Sequence, residues 1–181
     1  MTDVIKVALC GQIRAGKDVI SEHLYFAHGF EFPLAFGSAL KRCAHDIFPH
    51  IPKEPKPRAL YQFMDVMREF DPDVWSRHIA SQVEVALDSK STRGIVISDV
   101  RHPDDYAWCK ANGFTLIRVS APLADRVKRA ERAGDAFEMA DLAHKTESYV
   151  DSFVVDYGVV NDGTLDDLHA QIDAIVAKLI D

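Results

Sequence analysis

The sequence has little cysteine, no long apolar run and no excess of positive charge. Its three cysteines among 181 residues are too few and too widely spaced for a disulfide framework, so we expect reduced thiols and a cytoplasmic protein. No apolar stretch approaches the roughly 20 residues that a membrane-spanning helix needs. The 21 basic and 28 acidic residues give a net charge of −7, which argues against a nucleic acid or an anionic membrane as partner.

Composition and length indicate one ordinary globular domain. Hydrophobic residues make up 48% of the chain and charged residues 27%, close to the average for soluble domains and unlike a disordered or coiled-coil chain. A length of 181 residues corresponds to about one domain. We therefore interpret residues 1–181 as one domain. We expect its partners to be small molecules, and the sequence leaves its oligomeric state open between a monomer and a homodimer.

Short apolar runs alternate with helical patterns along the chain. Four runs are predicted to be buried strands: Val4–Cys10, Gly94–Asp99, Phe114–Val119 and Tyr157–Val160. A further apolar piece, Phe30–Phe36, brings the expected sheet to about five strands. Strands that are apolar throughout and separated by helices predict an α/β fold, with a parallel, doubly wound sheet between two helical layers.

The predicted helices carry their own start and stop signals. Ser38 is expected to cap a helix over Ala39–Phe48, and four prolines between residues 49 and 57 end it. Pro103 marks the start of another helix and Asn112-Gly113 its end, while Thr164 caps the last helix with Asp167 in place of the usual glutamate. Further helices are predicted over Arg58–Glu69, Asp73–Leu87 and Pro122–Ala133.

A phosphate-binding loop follows the first predicted strand. Residues 11–18 read G-x4-G-K-D, between a strand and an amphipathic helix, which is the context that this motif requires. Glycines allow the backbone N–H groups to turn towards phosphate oxygens, and Lys17 can reach the β- and γ-phosphates of ATP. The alternative is a glycine-rich turn that binds nothing. The predicted nucleotide-binding residues here are Gly11, Arg14, Ala15, Gly16, Lys17, Asp18 and Val19.

Two acids are candidates for binding Mg²⁺. Asp18 stands where this loop usually has Ser or Thr, and its carboxylate can hold the ion directly or through water; alternatively it only favours the helix N-terminus. Asp99 ends a buried strand, where an acid can orient Mg²⁺ or its water shell, or help to deprotonate the acceptor phosphate. The alternative for Asp99 is a cap on the following helix.

Arginines supply a local basic cluster in an acidic protein. Arg101, two residues after Asp99, suits a bidentate grip on an acceptor phosphate, or else a surface salt bridge. Arg126, Arg129 and Arg132 recur every three residues and share one helix face, with Lys128 beside them. Such a stripe in a lid can clamp the phosphoryl group during transfer. The alternative is an ordinary solvated face paired with Glu131 and Asp135.

The order of the motifs resembles the P-loop kinases of small phosphorylated metabolites, in particular phage-type deoxynucleoside monophosphate kinases. The similarity rests on the Gly-Lys-Asp loop and covers nearly the whole chain; animal phosphomevalonate kinases share that loop. The other matching pieces are Phe36-Gly37-Ser38-Ala39-Leu40-Lys41, Arg58 with Gln62 and Arg68, Asp71–Trp75, Ile97–Arg101, His144–Glu147 and Asn161–Leu165. The resemblance implies a three-layer P-loop NTPase fold, ATP and Mg²⁺ as cofactors, and catalytic roles for Lys17, Asp99, Arg101, Arg126 and Arg129.

The resemblance also implies an acceptor-binding insertion at about residues 38–90 and a lid at about 126–147. Gln62 can hydrogen-bond a base edge, Arg68 can hold a phosphate, and Trp75 either stacks on a ring or belongs to the core. Arg132 and Asn161 are placed on the nucleotide side. The predicted acceptor-binding residues are Lys41, Arg58, Gln62, Arg68, Trp75, Arg101 and His144. The eight histidines show no spacing typical of a zinc site, so none is expected.

Two segments depart from the family pattern near the expected acceptor pocket. Phe63-Met64-Asp65 stands where Leu-Gly-Thr is usual, and His102-Pro103-Asp104-Asp105 lacks the usual aromatic residue before the proline. The sequence therefore predicts phosphoryl transfer from ATP to a (deoxy)nucleoside monophosphate. It leaves open a kinase of another phosphorylated metabolite, such as phosphomevalonate, and a nucleotide-binding regulatory module without catalysis.

Overall fold

A parallel four-stranded sheet forms the centre of the protein. The computed structural model describes residues 4–89, 91–133 and 145–180, with the backbone alone for residues 145–148. The strands lie in the order β2-β1-β3-β4, and all three pairings are parallel. Their bounds are β1 Ile5–Cys10, β2 Gly94–Val100, β3 Thr115–Ser120 and β4 Tyr157–Val160.

The expectation of about five strands is wrong for the described residues, because Phe30–Phe36 does not form a regular strand. Phe30 and Leu34 each make one isolated parallel bridge to β2, with Gly94 and Ile97. Pro33 lies between them and has no N–H to donate, so the ladder is interrupted. The segment nevertheless covers the outer edge of β2, where the ring of Phe30 occupies the space that a side chain on Gly94 would need.

Nine helices are present in the described part of the chain, and none of those described is long and apolar enough to cross a membrane. The helices are α1 Lys17–His28, α2 Phe36–Ile47, α3 Arg58–Asp65, α4 Met67–Phe70, α5 Val74–Asp88, α6 Pro103–Ala111, α7 Leu123–Arg132, α8 Lys145–Ser152 and α9 Leu165–Ile180.

Alternate residues of β1 face opposite helical layers, as a strand buried on both sides requires. Val7 and Leu9 pack with α1 and α9, whereas Ala8 and Cys10 pack with residues of α2, α5, α6 and α8. The α/β architecture with two helical layers is therefore confirmed. A third, smaller cluster around Trp75 joins α2, α3 and α5.

Two predicted helix boundaries are wrong. The helix expected after Ser38 begins at Phe36, because the carboxylate of Asp99 accepts hydrogen bonds from the N–H groups of Phe36 and Gly37. The helix expected over Arg58–Glu69 divides into α3 and α4 at Val66. In contrast, Pro103 begins α6, and Thr164 and Asp167 cap α9 through reciprocal hydrogen bonds.

Candidate phosphate-binding site at the carboxyl ends of the strands

The loop between β1 and α1 has the backbone shape of an anion-binding turn. Gly11 and Gly16 have φ angles of 147° and 112°, and Arg14 has a φ of 60°, a conformation that L residues seldom adopt. A Cβ on Gly11 would lie 2.2 Å from the carbonyl oxygen of Val119, and one on Gly16 would lie 2.3 Å from Nδ2 of Asn161. Neither position has room for a side chain.

Lys17 is the first residue of α1 and folds back over this loop. Its side chain is buried, and Nζ donates hydrogen bonds to the carbonyl oxygens of Gly11 at 2.7 Å and Gln12 at 3.0 Å. The ammonium group therefore lies inside the loop at the positive end of a helix. A buried ammonium held by neutral carbonyls in this position is suited to an exchange of partners with phosphate oxygens.

Asn161 connects the end of β4 to the phosphate-binding loop. It is buried, and its Nδ2 donates to the carbonyl oxygen of Ala15 at 2.9 Å. This contact lies directly beside Gly16. The structure thus gives Asn161 a role in fixing the loop; its predicted contact with the adenine stays a prediction.

Two arginines of α7 also hold the loop. Arg126 Nη1 donates to the carbonyl oxygen of Ile13 at 3.4 Å. Arg129 donates to the carbonyl oxygen of Arg14 at 3.3 Å and to both oxygens of Asn161 at 3.1 Å. The guanidinium groups therefore reach the predicted phosphate site from a helix more than one hundred residues away in the sequence.

The rest of the basic stripe lies outside this contact. Arg132 and Lys128 are exposed, and Lys128 is 3.9 Å from Asp125 one turn earlier on α7. The structure hence separates the cluster into two arginines at the loop and two solvated cations. His144 and residues 134–144 of the predicted lid lie outside the described residues.

Arg126 is the most unusual member of the site. Its side chain is buried, and its Nε has no hydrogen-bond partner within the described ranges. Among those same ranges no carboxylate pairs with it. A buried guanidinium is costly unless an anion compensates it, so this group is suited to an anionic ligand.

Asp99 has a structural partner that its position on β2 did not reveal. Its two carboxylate oxygens accept from Phe36 N at 2.7 Å and Gly37 N at 2.9 Å. It therefore caps α2, rather than the helix that follows it in the sequence. Each carboxylate oxygen has a second lone pair, so this cap is compatible with a water shell around Mg²⁺. Asp18 is exposed on the first turn of α1.

Replacing Asp99 by asparagine should separate its two roles. Because one charge-assisted hydrogen bond to the start of α2 is lost, we expect the free energy of unfolding to fall by about 1 kcal/mol. If Asp99 also orients Mg²⁺, kcat falls about 10²-fold and half-maximal rate needs more Mg²⁺. The control is Thr164→Ala, which removes a helix cap outside the site. Loss of stability with unchanged kcat would reduce Asp99 to a helix cap.

On the acceptor side, the predicted residues fall into different environments. Arg58 and Gln62 lie four residues apart and so on one face of α3, with Gln62 exposed and Arg58 half-buried. Lys41 of α2 is exposed and lines a pocket of about 330 Å³ together with Arg42 and Lys53. Arg101 is half-buried directly after β2.

Trp75 belongs to the core rather than to an exposed ring-stacking surface. It is 1% exposed and packs with Ala39, Leu40, Ala44 and Met64. Its indole nitrogen is buried, with no hydrogen-bond partner within the described ranges. The structure therefore gives it a packing position in the core between α2, α3 and α5.

Arg68 is held in an ion-pair network that sequence reasoning missed. Nε donates to Asp65 and Nη1 to Asp105, both at 2.9 Å, and His102 lies 3.2 Å from Asp65. The network joins the end of α3 to the start of α6. The three partners Asp65, His102 and Asp105 all come from the two segments that depart from the family pattern. Two such departures in one sequence were the signal from which a contact between the segments could have been predicted.

Arg118 is a second residue that the sequence analysis missed. It lies on β3 beside Cys10 of β1, and its guanidinium donates to the carbonyl oxygens of Val150, Asp151 and Phe153 at the end of α8. The side chain of Asp151 in turn accepts from Gln12 of the phosphate-binding loop at 3.0 Å. The sequence signal was a lone charge within an otherwise apolar strand.

The buried carboxyl of Asp105 should make stability depend on pH. Burial raises the pKa of Asp105 to about 6, despite the nearby Arg68. Between about pH 4, the unfolded-state pKa, and pH 6, the folded chain binds more protons than the unfolded chain, so stability falls as pH rises.

We test this with Asp105→Asn, which removes the titration. The unfolding free energy of the wild type relative to this variant should fall by up to about 3 kcal/mol between pH 4 and pH 7. Urea unfolding at several pH values measures it, with the exposed Asp104→Asn as the control. A difference that does not change with pH would contradict the raised pKa.

Solved structures of other proteins share this fold. TT1252 from Thermus thermophilus matches with a TM-score of 0.62 and 20% identity, over 97% of this chain and 98% of that chain. A sugar kinase from Janibacter sp. HTCC2649 matches with a TM-score of 0.59 and 15% identity, over 98% of this chain and 94% of that chain. Shikimate kinase from Acinetobacter baumannii matches with a TM-score of 0.57 and 15% identity, over 98% of this chain and 95% of that chain. No protein-family model and no curated protein matches the chain. The structural likeness shows that this chain shares its α/β fold with these three proteins.

Proposed function

We propose that this protein transfers the γ-phosphoryl group of ATP to a (deoxy)nucleoside monophosphate and so forms the diphosphate. The observation that carries the proposal is the buried guanidinium of Arg126 beside a loop already built for phosphate. Burial of a positive charge is stabilised when a polyphosphate binds next to it. Lys17 and Arg129 reach the same loop, so three cations converge on one small volume of an acidic protein.

The residues present fit ATP and Mg²⁺. The loop offers backbone N–H groups from positions where glycine or positive φ is required, which suits phosphate oxygens. Asp18 and Asp99 are the acids available for a hard divalent cation or its water shell. When bound, Mg²⁺ supplies neutralisation of the charge on the transferring phosphate.

Phosphoryl transfer asks a protein for positioning and charge neutralisation more than for covalent chemistry. Lys17 exchanges the carbonyls of Gly11 and Gln12 for phosphate oxygens. Arg126 and Arg129 each carry five N–H donors, so they can hold the loop and also stabilise negative charge on the transferring group. Because these contacts are preorganised by α7, little reorganisation is needed during the reaction.

The acceptor side supports a phosphorylated substrate with a hydrogen-bonding ring. Arg101, after β2, is the cation proposed to grip the acceptor phosphate. Arg58 and Gln62, on one face of α3, combine a cation with an amide that can pair with a base edge. Arg68 pairs with Asp65 of α3 and Asp105 of α6, so we assign Arg68 a positioning role on the acceptor side.

The test is an assay of ADP release with ATP and Mg²⁺ across the common nucleoside and deoxynucleoside monophosphates, with phosphomevalonate as a further acceptor. We expect turnover that depends on a nucleotide acceptor. Turnover with phosphomevalonate alone would move the protein to another class of metabolite kinase. ATP binding without any acceptor-dependent turnover would overturn the proposal in favour of a regulatory module. Arg101→Ala should abolish transfer and leave ATP binding intact.

Gln62→Ala probes the base contact directly. If its amide pairs with the acceptor base, the acceptor KM should rise about tenfold, the equivalent of one hydrogen bond of about 1.4 kcal/mol, with little change in the KM for ATP. Steady-state kinetics measures both constants. Gln82→Ala on α5 serves as the control. An unchanged acceptor KM would remove Gln62 from the base site.

A further inference from the structure

Three histidines and one aspartate converge between α1 and α9, at the end of α1 opposite the phosphate-binding loop. His23 and His28 come from α1, and His169 and Asp173 come from α9. Lys17 and His28 are eleven residues apart on α1, which corresponds to about 16 Å along the axis. The cluster is therefore separate from the proposed catalytic site.

The geometry directs two imidazole nitrogens at a single oxygen atom. Nε2 of His23 and Nε2 of His28 each lie 2.7 Å from Oδ1 of Asp173. The two rings are nearly perpendicular, at 78°, so their nitrogens approach from different directions. One ligand atom from each of the three residues lies within 4.8 Å of the other two.

We propose that His23, His28 and Asp173 bind a divalent transition-metal ion of the Zn²⁺ class. Two imidazoles and one carboxylate are ligands that Zn²⁺ accepts, with water completing a tetrahedron. Neighbouring ligand atoms around tetrahedral Zn²⁺ lie about 3.4 Å apart, so each atom here has to move by less than about 1 Å. The sequence does not reveal this site for two reasons. The spacing His23-x4-His28 is not typical of a zinc site, and the third ligand, Asp173, lies 145 residues after His28.

His169 acts as a positioning residue in this site. Its ring stacks on that of His23, with centroids 3.8 Å apart and an angle of 8° between the planes. Stacking fixes the orientation of the His23 ring and hence the direction of its Nε2. The ligands are also reachable from solvent, since the side chain of Asp173 is 50% exposed and those of His23 and His28 are 14% and 21% exposed.

Metal binding would join the second half of α1 to α9. Both helices pack on the same face of the sheet, so an ion held only by the folded chain stabilises this layer. At a free Zn²⁺ concentration about 100 times Kd, the melting temperature should rise by roughly 5–10 °C. The readout is independent of phosphoryl transfer, so its failure leaves the proposed kinase activity untouched.

The experiment uses the full chain without a histidine tag, treated with chelator and titrated with Zn²⁺ in competition with a chromophoric chelator. We expect one ion per chain. His23→Ala, His28→Ala and Asp173→Asn should each weaken binding by more than the roughly 10–100-fold typical of outer-shell changes, and His169→Ala by an amount within that range. Asp166→Asn, at the start of α9, and His50→Ala are matched controls that should bind as the wild type does.

Co²⁺ substitution provides a second measurement on the same chain. We expect the visible absorption of tetrahedral Co²⁺ in the wild type and its loss in the three ligand variants. Melting curves without metal verify that each variant is folded, and Asp173→Asn retains the size of the side chain. Zn²⁺ binding of equal strength in wild type and ligand variants, or no binding by the folded wild type, would overturn the proposal. The two Nε2–H groups would then simply donate to Asp173.

Discussion

Replacing Lys17 by methionine is expected to lower kcat for phosphoryl transfer by about 10²–10³-fold, because the ammonium that we propose to stabilise charge on the transferring phosphate is removed from a buried site. Methionine retains most of the apolar stem, so the packing of the stem persists while the two hydrogen bonds from Nζ are lost. The loss should therefore appear mainly in kcat, and the acceptor KM should change little. Single-turnover kinetics at saturating ATP measures the chemical step directly.

Two variants control for charge and for folding in that experiment. Lys178→Met removes an exposed cation from the far end of α9 and should leave kcat unchanged. Lys17→Arg keeps the charge but presents a planar fork instead of a compact ammonium, so it should recover only part of the rate. A Lys17→Met protein with a wild-type kcat would refute the assignment of the loop as the phosphate site.

Gly16→Ala should abolish tight ATP binding, with Kd rising at least about 100-fold, an effect of roughly 2.7 kcal/mol. The new Cβ would lie 2.3 Å from Nδ2 of Asn161, so the hydrogen bond from Asn161 to Ala15 must break. Residue 16 also has a φ of 112°, which costs alanine of order 1–3 kcal/mol. Both effects act on the backbone whose N–H groups we propose to face the phosphates. Calorimetry with a non-hydrolysable ATP analogue measures the affinity.

Substitutions at two other glycines distinguish the effect of backbone strain from the effect of steric overlap. Gly113→Ala introduces a side chain at a φ of 74° with nothing within 4 Å, so it should lose stability but keep ATP affinity. Gly158→Ala meets no neighbouring atom and has no positive φ, so both quantities should stay near the wild-type values. If Gly16→Ala loses no more ATP affinity than Gly113→Ala, the contact with Asn161 does not shape the phosphate site.

The ion pairs around Arg68 connect a predicted acceptor-binding residue to the fold. Asp65 and His102 belong to the two segments that depart from the family pattern, and in the structure they lie 3.2 Å apart. Arg68 pairs with both Asp65 and Asp105. A network of buried ion pairs tolerates single substitutions poorly, because removal of one partner leaves another charge buried and unpaired. We therefore expect the stability of this network to depend on all four residues together.

The backbone turn between β1 and α1 and the order of strands and helices could be predicted from the sequence alone. Both depend on interactions within a short stretch of chain: apolar periodicity, the lack of Cβ on glycine, and Pro and Asn-Gly at helix ends. The strand prediction failed at Phe30–Phe36, where an apolar run with Pro33 gave only two isolated bridges. The first residue of α2 was predicted wrongly, because the residue that caps this helix, Asp99, lies about sixty residues away in the sequence.

Only the tertiary structure decided which side chains share a site. It placed Arg126 and Arg129 on the carbonyls of the phosphate-binding loop, buried Trp75, paired Arg68 with two acids, and brought His23 and His28 to Asp173. The contacts of Arg126, Arg129 and Asp173 depend on parallel crossovers that join distant segments at a common sheet edge or a common helical layer. Little cysteine and a negative net charge excluded classes of protein at the outset; where the positive charge is buried is a property of the fold.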